Sequence, residues 1–262
     1  MIGEAKTLVD HYAEVIMQRA TKLEKISKVL VVDGYFAKLK FVNPICKETN
    51  LEVICRLRDD ANLKYLYRGV QKTGRGRKRK YDGKVNVKDI DKRRVKKEFN
   101  NEEIAIYSGL IYSVGLKRKV KLCYVEFFNK RGKLVMYKIF FSTNEQRSGA
   151  EILSYYKARF QMEFNFRDGK QYTGLEQGQA RSIKKLHFHF NASLTSVNIA
   201  KCIIRSEVDK NTSIPLSIGD LKMQLQNRNM LYRIFSIYGF DHKLIKLKEE
   251  YQEVIKFGTI AA

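Results

Sequence analysis

The chain has 262 residues, of which 44% are hydrophobic, with 15 Phe, 15 Tyr and no Trp. Lys and Arg number 51 against 28 Asp and Glu, a net charge of +23. That length allows a sizeable core, and that charge points to a polyanion partner: nucleic acid first, an anionic membrane surface second.

Four scattered cysteines, Cys46, Cys55, Cys123 and Cys202, form no CxxC pair. They read as reduced thiols, neither a zinc site nor a disulfide frame. The N-terminus lacks the basic and apolar regions of a signal peptide, and no apolar run reaches the roughly 20 residues of a bilayer span. A soluble, cytoplasmic protein without a membrane partner is expected.

Residues 4–26 carry Leu8, Tyr12, Val15, Ile16, Leu23 and Ile26 at three- and four-residue steps, which predicts helix. Val29–Val32 is a run of aliphatics, mostly β-branched. It reads as a strand buried on both faces, as in a parallel sheet, and Asp33 ends it. Residues 35–48 look helical with a break near Pro44, and residues 51–55 read as a second strand. This order suggests α/β winding.

The texture then changes. Residues 68–97 hold 14 Lys and Arg against 3 Asp. Arg75, Arg77, Lys78, Arg79 and Lys80 form the densest part and are expected to contact a DNA or RNA backbone. Gly74 and Gly76 make no phosphate-binding loop, because no apolar strand precedes them and no Gly-Lys-Ser/Thr ending follows. Residues 104–114, 118–128 and 133–142 read as strands, the last two joined by a hairpin loop at 129–133, so an antiparallel region is expected. Ser148 or Gly149 should cap a long helix running to about Asp168. A second apolar helix follows over 182–205, and the tail 214–257 carries one or two amphipathic helices. His187 and His189 lack further zinc ligands and read as structural; His11 and His242 look incidental.

One spacing stands apart: Tyr156-x2-Arg159-x3-Glu163-x6-Lys170. At about 100° per residue on a helix, these positions fall within an arc of about 60°. Leu153, Phe160 and Phe164 lie beside that arc, so the polar stripe should border a buried surface, where a cleft would form. The plainer reading is a solvated face with i,i+3 and i,i+4 pairs.

This spacing resembles the Y-x2-R-x3-E-x6-K signature of DDE-class insertion-sequence transposases. Residues 140–144 (FFSTN), 174–182 (GLEQGQARS), 29–35 (VLVVDGY) and 57–63 (LRDDANL) resemble the segments those proteins carry at corresponding places, over roughly residues 5–205. The resemblance implies an α/β, ribonuclease H-like catalytic core interrupted by an antiparallel β-rich insert. Residues 1–66 would form the first part of the core, 67–143 the basic insert, 144–205 the core helices with the catalytic Glu, and 206–262 a C-terminal helical tail. It further implies three carboxylates holding two Mg2+ ions, with Mn2+ as a substitute, that cut a phosphodiester and join the freed end to target DNA. Asp33 matches the second carboxylate and Glu163 the third. Tyr156, Arg159 and Lys170 match positions that grip DNA phosphates. The implied partners are double-stranded transposon ends and target DNA, with a homodimer during synapsis, in a bacterial nucleoid. The strand bearing the first aspartate is expected upstream of Asp33. The only aspartate there, Asp10, sits in a helical pattern and is expected to be solvated or paired. The chain thus resembles a family member lacking its N-terminal strands, from a gene fragment or a misplaced start codon. Two alternatives stand beside the enzyme: a catalytically inactive DNA-binding remnant that regulates transposition, and a basic RNA-binding protein.

Overall fold

A computed structural model describes residues 7–208, 217–239 and 249–259. The chain divides into two compact units, Met1–Phe160 and Gln161–Ala262.

The first unit is built on one eight-stranded sheet. Its strands are β1 (Val29–Val32), β2 (Glu52–Arg56), β3 (Leu63–Leu66), β4 (Tyr81–Lys84), β5 (Lys96–Asn100), β6 (Ile104–Ser113), β7 (Arg118–Phe128) and β8 (Leu134–Ser142). The order is β1-β2-β8-β7-β6-β3-β4, with β5 also pairing β6. Only β1 and β2 are parallel, with Val32 opposite Cys55. Every other pair is antiparallel. The basic insert therefore continues the same sheet as the parallel pair. As the first strand of the order, β1 has no partner on its outer side among the described residues. Its four aliphatics are all half-buried, less than the full burial expected, because an edge strand is covered on one flank only.

Helices α1 (Leu8–Gln18), α2 (Ala20–Glu24) and α3 (Leu39–Glu48) precede or interrupt the parallel pair. Thr7 and Asp10 form a capping box at the start of α1, and Asp10 also pairs with Lys40 at 3.6 Å. Pro44 lies inside α3 without ending it. Proline costs a helix interior about 3 kcal/mol. Phe41, Val42 and Ile45 hold α3 down by burial against Val53, Cys55, Leu122 and Phe141. Strand alternation sends Ile54, Cys123, Val125 and Phe140 to the opposite face, under α4 (Gly149–Ala158).

Helix α4 is set firmly. Ser148 caps it with Glu151. The Glu98 carboxylate accepts from the Gly149 N–H at 2.5 Å and the Ala150 N–H at 3.3 Å, and from the Ser108 hydroxyl. A Cβ at Gly149 would stand 3.0 Å from Ile106 and 3.2 Å from Ser108, tighter than ordinary contact, so glycine eases this close approach of the helix to β6. Glu52 is buried on the same face. It accepts from Arg147 at 2.6 and 3.0 Å, from Ser142 at 2.8 Å and from Asn144 at 3.2 Å. These bonds tie β2 to the end of β8 and the start of α4.

In place of one helix through Asp168, the chain forms two. α4 ends at Ala158, and α5 (Phe160–Tyr172) begins after Arg159, whose N–H turns to Tyr156 O, three residues back. The two units divide directly after Phe160. α5 belongs mainly to the second unit, with α6 (Ile183–Val208), α7 (Ile218–Tyr238) and α8 (Glu249–Lys256). In that unit Asp168 is buried beside Lys201, and α7 packs on α8 through Phe235 and Tyr251. His242 lies outside the described residues. No described helix is long and apolar enough to cross a membrane.

Candidate active site

Asp33 follows β1 directly and opens a short 3₁₀ turn over Gly34–Phe36. A strand-end aspartate before a turn is ordinarily a cap. Here the side chain makes no cap hydrogen bond. It is exposed, and its own carbonyl oxygen instead accepts from the Cys55 thiol at 3.2 Å. The carboxylate looks into an open cleft of about 960 Å³ that Tyr35, Lys38, Arg56, Arg58 and Asn62 also line. Lys38 stands 4.0 Å over the Tyr35 ring, and Arg58 pairs with Asp60 at 3.6 Å.

Tyr156 and Arg159 stand at the end of α4, outside the residues that line this cleft. Tyr156 is buried, its ring 4.6 Å from that of Phe140. Arg159 lies 5.6 Å over the Tyr156 ring and 5.0 Å over that of Phe160. Burial raises the Tyr156 phenol above its ordinary pKa, the Arg159 cation opposes that shift, and the Asp33 charge adds to it. The Cys55 thiol is pushed up to about 12, first by burial and next by Asp33. Asp33, Tyr156 and Arg159 therefore share one electrostatic neighbourhood in the first unit, across more than a hundred residues of sequence.

Glu163 and Lys170 lie in the second unit. Glu163 sits exposed in the first turn of α5. Lys170 pairs with Glu176, a partner that sequence spacing did not suggest because the turn at Gly174 separates the two. His189 meets the Leu175 carbonyl at 3.3 Å, a structural contact.

The basic run occupies the loop between β3 and β4. Arg75, Arg77, Lys78 and Lys80 are exposed there. Gly74 and Gly76 take φ of 141° and 148°, which side-chain-bearing residues rarely adopt. Arg79 differs from its neighbours. It pairs with Asp82 at 2.6 Å, donates to Tyr81 O at 3.1 Å, lies 4.9 Å over Tyr67 and brackets Gln71 through its backbone. Its side chain holds the hairpin together. Lys38, Arg56 and Arg58 were not singled out from the sequence. The alternation Arg56-Leu57-Arg58 past a strand end was the available signal, with Leu57 buried and both arginines exposed.

A family model for the transposase DDE domain matches residues 5–199. The chain belongs to the DDE transposase family. No curated protein matches it. The match spans both units and takes in all the signature positions. Membership connects this transposase to transposition and to nuclease and strand-transferase chemistry, with DNA as the substrate class. DDE transposases generally use divalent metal ions. Among the described residues, no group of three or more His, Cys, Asp or Glu is placed to hold one. The donor chemistry of Asp33 suits a hard cation, since its carboxylate oxygens have no hydrogen bond or ion pair among the described residues.

Proposed function

We propose that this transposase binds double-stranded transposon DNA and contributes Asp33 and Glu163 as two carboxylates of a divalent-metal phosphodiester site. Mg2+, or Mn2+ in its place, would supply activation of the attacking oxygen and charge stabilisation at the leaving one. The observation that carries the reading is an uncapped strand-end carboxylate whose charge acts on Tyr156, as that of Arg159 does, in a protein of this family. Arg159 offers a planar fork to phosphate oxygens, Lys170 a point charge and Tyr156 a hydroxyl donor. Arg75, Arg77, Lys78 and Lys80 extend the grip along the backbone, with Arg79 shaping the loop that presents them. Synapsis of two DNA ends implies a homodimer.

The second reading is a DNA-binding remnant without strand transfer. Its support is that no group of three or more His, Cys, Asp or Glu placed to hold a metal ion occurs among the described residues. Nicking of supercoiled plasmid by the full chain with Mg2+ or Mn2+ separates the two. Cleavage that Asp33→Asn and Glu163→Gln each abolish, with DNA binding retained, supports the enzyme. DNA binding with no cleavage above background supports the remnant. Cleavage left intact in both variants overturns the assignment of these carboxylates.

A further inference from the structure

The strand directions place four features at one end of the sheet. β2 runs toward Arg56 and β8 runs the opposite way, from Leu134 to Ser142, since Ile54 faces Ser142 and Arg56 faces Phe140, so Leu134 lies beyond the Arg56 end. β7 ends at the same side, because Phe128 faces Leu134. β3 also runs that way, because Leu63 faces Ser113 and Tyr65 faces Ile111, and β6 returns from its pairing with the end of β7. Asp33, Arg56, the basic β3–β4 loop and the β7–β8 turn therefore lie at one end. Leu134 stands six residues beyond Phe140, so at about 3.4 Å per residue the hairpin rises about 20 Å past the end of β2.

The tip of this hairpin has an unusual surface. Leu134, Val135 and Met136 are exposed at 43%, 63% and 48%. A register shift between Phe127 and Phe128 leaves Val135 as the extra residue, and a bulge of this kind re-aims its side chain. Around these apolar residues stand Lys130, Arg131, Lys133 and Lys138. Lys138 lies 5.4 Å over the Phe127 ring, and none of the four makes an ion pair among the described residues. No Asp or Glu occurs from Asn129 to Asn144. Two such tips would repel each other, so charge complementarity selects a polyanion over a second copy of the chain.

We propose that the β7–β8 hairpin is a second DNA-contacting finger. Lys130, Arg131 and Lys133 neutralise phosphates of a duplex while Val135 and its neighbours lie against the apolar faces of its sugars. It emerges at the same end of the sheet as Asp33 and the β3–β4 loop, between the two in the strand order. This inference rests on the DNA reading above and names a surface that reading does not use.

The test measures binding of the full chain to a fluorescent random-sequence duplex in EDTA across a salt series, which keeps metal chemistry out of the result. Replacing Lys130, Arg131 and Lys133 with Gln should lower the magnitude of the log–log salt slope by about 3, at about 0.9 per lost phosphate contact. Val135→Ser should weaken binding several-fold and leave the slope unchanged. Unfolding curves matching the parent show that both variants keep the fold. A wild-type chain that binds the duplex, with an unchanged slope in the triple variant, overturns the finger and spares the DNA reading. A wild-type chain that fails to bind overturns both. A shift in oligomeric state on sedimentation of Val135→Ser, with DNA affinity unchanged, assigns the tip to a second copy and overturns the proposal.

Discussion

Tyr156 packs on the sheet, and the proposed function also gives it a phosphate to hold; one pair of substitutions separates the two. Its ring is 7% exposed and packs at 4.6 Å on Phe140, so it pins the end of α4 to β8. Truncating a buried aromatic to alanine costs about 3–5 kcal/mol. The first unit spans Met1–Phe160, and in a domain of that size 1 kcal/mol shifts the melting temperature by roughly 2–4 °C. Tyr156→Ala should therefore lower its melting temperature by roughly 6–20 °C. Tyr156→Phe keeps the ring and removes only the hydroxyl that interacts with Arg159, so its stability cost should be about 1–2 kcal/mol. Its effect on phosphodiester cleavage should be larger in proportion, about tenfold for one lost phosphate contact worth about 1.4 kcal/mol. Denaturant melts of both variants, followed by plasmid nicking at matched folded fractions, give the comparison. A Tyr156→Ala variant within about 1 kcal/mol of the parent would refute the packing argument. Equal losses in both variants would mean that the Arg159 interaction, rather than the ring, holds the helix.

Arg147→Met should strand the buried Glu52 carboxylate, which takes two of its bonds from Arg147, and cost about 3–5 kcal/mol in urea unfolding. Adding Glu52→Gln should recover part of that loss, and failure to do so would reject the stranded-charge explanation. Glu151 is held down to about 2 by the Ser148 backbone N–H, then the Ser148 hydroxyl, then Arg147, against an ordinary 4.5. Its contribution is present above pH about 4.5 and lost as pH falls toward about 2, so Glu151→Gln should flatten that part of an acid titration of stability. The effect should be modest, since the side chain is 50% exposed. Iodoacetamide should label exposed Cys202 in the native protein while Cys55 and Cys123, both buried and raised by burial, react only on unfolding. Early labelling of Cys55, read by mass spectrometry, would contradict the burial of β2.

Where local chemistry decides local structure, the order of residues was informative. Alternating or continuous β-branched and aromatic runs marked β6, β7 and β8 nearly to the residue, bounded by turn residues. Asn129 and Gly132 supplied the turn between the last two, with Gly132 at φ of 71°. Ser148 capped α4 as its residue type implies. The basic insert was legible as charge, and its loop as glycine-rich.

Other features turned on partners distant in sequence. Pro44 suggested a helix end, yet burial of Phe41, Val42 and Ile45 carries α3 through it. The apolar spacing from Leu153 to Phe164 suggested one helix, and the chain breaks it at Arg159, where α4 leaves the sheet. Arg79 looks like every other cation in its run until Asp82 and Tyr67 close around it. Nothing near Asp33 in the chain foretold that β2 would bring the Cys55 thiol to its carbonyl oxygen.

The sequence by itself determined the strands of the insert and the cap of α4, because each depends on residues close together in the chain, and it carried the excess positive charge and the family signature in its composition and spacing. Only the tertiary structure decided that the insert shares its sheet with the parallel pair, and that the Asp33 carboxylate is left uncapped at the end where both basic hairpins emerge. Those outcomes depend on strand pairing between segments about 90 residues apart, Ile54 with Ser142 among them, and no local pattern carries that information.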